Sequence, residues 1–128
     1  MDHTVHKTIE LENKLTLNIF DLSRKISEDA YRVTMKAQID MDVTEALFTD
    51  PSLKNIGFSD VVSVLGNTVS YVQTIERNFI MAENKDAVFE KLVDTFMDNL
   101  GQYIAKPRFP AKLIFKNYTD TLKKRGRH

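Results

Sequence analysis

The chain has 128 residues, with eighteen basic residues balancing eighteen acidic ones, 42% apolar content and no cysteine. That length can bury one ordinary core as a single domain, and the lack of cysteine excludes disulfides, thiolate nucleophiles and cysteine-held zinc. The balanced charge supplies no global field for nucleic acid or an anionic membrane, so neither is expected as a partner, and it does little to keep copies of the chain apart.

Residues 1–4 read as a frayed end. The amino-terminal stretch MDHTVHKTIE lacks the apolar segment of a signal peptide. No apolar run approaches the roughly 20 residues that span a bilayer. The expected location is cytoplasmic. From Val5 the apolar residues fall on odd positions: Val5, Ile9, Leu11, then Leu15, Leu17 and Ile19. Either a three-residue loop at 12–14 or a single strand bulged at Asn13 keeps that face intact. A polar link, Asp21 to Asp29, then leads into the most regular stretch of the chain. Between Tyr31 and Val43 every odd position is apolar and every even one polar. Thirteen residues of period-two alternation predict a long strand with one buried face, paired as a hairpin with the strand before it.

Residues 44–67 break the pattern with Asp50-Pro51-Ser52 and Asn55-Ile56-Gly57, and read as an insertion between strands. Within it, Ser59 to Gly66 fits a short helix capped by Ser59; a hairpin turning at Gly66-Asn67 is the other possibility. Thr68 to Met81 reads as a strand with odd face Val69, Tyr71, Gln73, Ile75, Arg77, Phe79 and Met81. Glu83 to Lys106 carries apolar residues at spacings of three and four, predicting a long amphipathic helix with Asn84 as its cap and Pro107 at its end. Phe109-Pro110 opens a last helix that finishes in a basic tail, 123–128. Strands followed by helices predict an α+β domain: a four-stranded antiparallel sheet with one face covered by two carboxy-terminal helices.

No chemistry declares itself in this sequence. His3 and His6 lack a fixed third metal ligand, and no histidine stands in a nucleophile–base pattern, so neither a metal, a cofactor nor an enzymatic activity is expected. Asp86, Glu90, Asp94 and Asp98 recur every four residues, as on the solvated back of an amphipathic helix. The basic tail has no interleaved aromatics and reads as solvated. Phe20, Val72 and Ile80 stand on the even, polar face of their strands. With Phe48 and Phe58 from the insertion they make a candidate apolar surface for a polypeptide, unless they pack beneath the insertion. Arg77 and Gln73 fall on the apolar parity of their strand, where they could anchor a small ligand in a pocket between sheet and helices.

The run LTLNIFDLSRKISEDAYRVTMKAQIDM, Leu15–Met41, resembles the second and third strands of the SecB family of export chaperones. The likeness continues in Leu65-Gly66, in Val72 to Phe79, and in the long helix ending at Phe109-Pro110 with Phe115, Asn117-Tyr118 and Leu122 beyond. This resemblance implies a SecB-like sheet backed by two helices and a homo-oligomer, dimer or tetramer. It also implies a non-enzymatic binding protein that holds unfolded or apolar polypeptide, or one dedicated protein partner, without nucleotide or metal. The five methionines suit such promiscuous apolar contact. The alternative is a small-ligand-binding protein.

Overall fold

The computed structural model describes residues 5–126 and shows an α+β chain with an antiparallel sheet. Its strands are β1 (Val5–Glu10), β2 (Thr16–Asp21), β3 (Arg24–Lys25), β4 (Ala30–Asp42) and β5 (Thr68–Met81). Three helices accompany them: α1 (Phe58–Leu65), α2 (Lys85–Ile104) and α3 (Phe109–Arg125). Short 3-10 turns occupy Glu45–Thr49, Pro51–Leu53 and Ala82–Asn84.

β4 is the axis of the sheet. β2 and β3 pair with one of its edges and β5 with the other, while β1 extends the sheet beyond β2. β2 and β3 keep one common register against β4, so they are a single strand interrupted at Leu22-Ser23. That reconciles five strands with the four-stranded layout expected from the sequence. The interruption has a local cause. The Asp21 carboxylate accepts from the Ser23 amide, and the Ser23 hydroxyl accepts from the Thr34 amide in place of a ladder carbonyl.

The odd face of β4 makes the core as its alternation requires: Val33, Met35, Ala37 and Ile39 are fully buried, joined by Leu17 and Ile19 from β2. The β1–β2 link is the three-residue loop. Leu11 donates to the Leu15 carbonyl, and Lys14 takes a positive φ of 72° at the third loop position. Asn13 fixes this loop from within, accepting from the Leu15 amide and donating to the Ile104 carbonyl at the end of α2.

The chain divides into two compact units, the first comprising residues up to Ile39 with Val72–Ala105, the second Asp40–Tyr71 with residues from Lys106 onward. In the first, α2 buries Phe89, Leu92, Val93, Phe96 and Ile104 of the stripe that its periodicity predicted, while Met97 and Leu100 on that stripe are half-buried and Tyr103 is exposed. Asn84 precedes α2 but makes no side-chain cap bond, and Ala82–Asn84 begins the turn instead. In the second unit, residues 58–65 are helical. Gly57, not Ser59, holds the cap position of α1, and Gly66 ends it at φ 84°, a conformation that suits glycine. α1 packs with α3, and Phe109 of α3 meets Tyr71 edge-on at 5.6 Å.

A polar clasp ties the insertion to the start of α3. Arg108 grips Asp50 through Nε at 3.1 Å and Nη2 at 3.2 Å, and Nη2 also donates to the Ser52 hydroxyl. Asp50 further accepts from the Ser52 amide. The Arg108 hydrogen bond, aided by that amide, lowers the Asp50 pKa from 3.8 to about 2. A depressed carboxyl pKa contributes stability above the unfolded value and loses it as pH falls through the folded one. Asp50→Asn is therefore expected to melt below the parent protein at pH 7, with the gap closing between about pH 4 and pH 2 in thermal scans. Deep in the other unit, Ile19→Ala is expected to cost roughly 2–5 kcal/mol in urea unfolding, as for any fully buried large-to-small change.

Candidate functional site: an open sheet edge and the face beside it

β1 and β5 are the two edges of the sheet, and they differ. β1 has six residues, among them His6, Lys7 and Glu10, a short and charged edge of the kind that discourages further pairing. β5 has fourteen residues, and among the described residues its pairing partner is β4 alone. Val43 donates to the Asn67 carbonyl, the Ser70 hydroxyl donates to Asp40, and Arg32 donates to Asn78. These contacts fix the register and point the backbone groups of odd β5 residues at β4. The amides and carbonyls of Val72, Thr74 and Glu76 therefore face outward. Arg77 donates from Nη1 to the Glu76 carbonyl at 2.9 Å, so its guanidinium covers part of that edge.

The register advances by one residue at the end of β5. Ala82 donates to the Asp29 carbonyl, one position beyond the pairing that holds from Asn67 to Asn78. The extra residue is Phe79, at φ 58°, a left-handed conformation costly for an aromatic side chain. The bulge reverses the parity read from the sequence. Phe79 and Met81, expected in the core, are 77% and 46% exposed, whereas Ile80 leaves the face of Phe20 and Val72 and is half-buried. A second bulge between Val5 and Lys7 brings Val5 opposite Phe20 on the outer face. This corrects its placement with Ile9 and Leu11. His6, at that bulge, meets Phe89 edge-on and contacts Glu90 at 3.2 Å, so its ring is engaged with α2. His3 lies outside the described residues, as do residues 1–4 and the end of the basic tail.

The other sequence candidates separate. Phe20 is half-buried on the outer face with the Lys36 ammonium 5.7 Å from its ring centre, and Val72 is 48% exposed on β5. Phe48 and Phe58 are half-buried and pack on each other edge-on at 5.5 Å within the second unit. They satisfy one another. Gln73 is half-buried and Arg77 exposed, and no hydrogen bond joins them, so they do not form a shared polar anchor. Asp86, Glu90, Asp94 and Asp98 are all exposed. Among the described residues no group of three or more potential ligands is placed to hold a metal ion, and no helix is long and apolar enough to cross a membrane.

Phe79 and Met81 were missed because their parity called for burial and no glycine marks the bulge that exposes them. Set against protein-family models, curated proteins and solved structures, the chain matches none. Phe79→Asn, which tolerates positive φ far better than Phe, is expected to leave thermal stability unchanged or raise it slightly. A clear fall in melting temperature would mean that the Phe79 ring supports the fold.

Proposed function

We propose that this chain is a non-enzymatic binding protein that holds extended, apolar polypeptide segments along the open edge of β5. The observation that carries this reading is the edge itself. Outward-facing backbone groups at Val72 and Thr74 lie on the strand that also carries the exposed side chains of Val72, Phe79 and Met81. An extended segment added there gains main-chain hydrogen bonds irrespective of its sequence, and apolar contact at Phe79 gives preference for apolar clients. The resemblance of Leu15–Met41 and the later motifs to SecB-like chaperones points the same way, and with it goes the proposal of a cytoplasmic homo-oligomer working without cofactor.

The test is suppression of aggregation of a chemically unfolded, unrelated protein, followed by light scattering. Thr74→Pro removes an outward amide while leaving the β4 ladder in place, and it is expected to abolish holding with little change in melting temperature. Phe79→Asn is expected to weaken holding roughly ten-fold, the scale of losing one buried aromatic contact. Full activity in both variants would sink the edge reading.

A further inference from the structure

We propose that Arg24 and Arg32 form a carboxylate-binding site which, with the Phe20 ring and Lys36 further along the same face, selects polypeptide segments carrying acidic residues near apolar ones. This deepens the proposed function and rests on it, since the ligand is again a polypeptide.

The hairpin register places Arg24 directly opposite Arg32. Ladder bonds at Leu22 with Thr34 and at Ile26 with Ala30 make this a hydrogen-bonded pair, whose Cα atoms in such ladders lie about 5.5 Å apart with both side chains on one face. Like charges so placed repel. Among the described residues no carboxylate comes within ion-pairing distance of Arg24, Arg32 or Lys36. Glu76 lies level with Thr34 on the neighbouring β5 and pairs with none of them. Arg32 spends Nε on the Asn78 side-chain oxygen at 2.8 Å, which orients its fork and leaves the two terminal nitrogens to other acceptors. Lys36 is four residues along β4, roughly 13 Å away in an extended strand, with the short Thr34 between them.

A bridging anion relieves the repulsion, and two guanidinium forks match the planar, bidentate geometry of carboxylates. The surroundings favour a polypeptide over a nucleic acid. The aromatic ring of the cluster, Phe20, already carries the Lys36 ammonium, and its neighbour across the ladder is the aliphatic Val5. That is a seat for an apolar side chain rather than a stacking platform for bases.

The experiment uses fluorescence anisotropy of the full chain with three labelled probes of about ten units. These are a peptide alternating Glu and Leu, its Gln–Leu counterpart, and single-stranded oligothymidine. The Glu–Leu peptide is expected to bind roughly ten-fold more tightly than the Gln–Leu peptide, the scale of one or two charge-assisted hydrogen bonds. Arg24→Gln should erase that preference while leaving Gln–Leu binding unchanged. It should also hold or raise the melting temperature, because it removes a facing like charge. Arg32→Gln serves as a second variant, with circular dichroism reporting its fold. Equal affinity for both peptides would overturn the carboxylate site and leave the edge reading intact. Binding of neither peptide would overturn both. Oligothymidine bound more tightly than either peptide, and released by Arg24→Gln, would reassign the cluster to nucleic acid.

Discussion

The ladder of β4 is the constraint on which the rest of the structure depends. Its odd residues supply the fully buried core and hydrogen-bond toward β5; its even residues hydrogen-bond toward β2 and β3. A strand committed on both edges and buried on one face has a single workable register, because a slip of one residue would turn Met35, Ala37 and Ile39 into water. The two sheet edges and the outward groups at Val72 and Thr74 follow from that register.

Much of this architecture was legible in the sequence because alternation is a direct record of burial. Leu17, Ile19 and the odd residues of β4 lie where parity put them, and the stripe along α2 lies where helical spacing put it. The candidate site was less legible, for a physical reason. A bulge shifts parity without changing composition, and neither Phe79 nor the Val5–Lys7 stretch carries a glycine to announce one. The Arg24–Arg32 juxtaposition was hidden for a different reason: eight positions apart in the chain, they become neighbours once the hairpin register is known. The insertion was ambiguous in its own way. For Phe48 and Phe58 the sequence left exposure and packing both open, and the structure shows them half-buried against each other.

Local rules bend in this protein at its surface rather than in its core. The left-handed aromatic at Phe79 and the facing arginines each go against local preference, whereas the odd residues of β4 follow their alternation into the core. Arg77 shows the complementary device. A charged side chain folded back onto the Glu76 carbonyl occupies that end of the edge and confines open pairing to the stretch around Val72 and Thr74.

The loop at Asn13 has a consequence for the order in which the chain is assembled. Its amide is secured by the carbonyl of Ile104, ninety-one residues later, and His6 is engaged by Glu90 across nearly as long a span. The β1–β2 and β2–β4 hairpins are local and close early, whereas the helix that engages the first strand is encoded far downstream of it. During synthesis the β1–β2 end of the sheet therefore waits, with His6 and Asn13 lacking their partners, until α2 has emerged. The nascent chain carries its own apolar face from the completion of β2 until α2 is made.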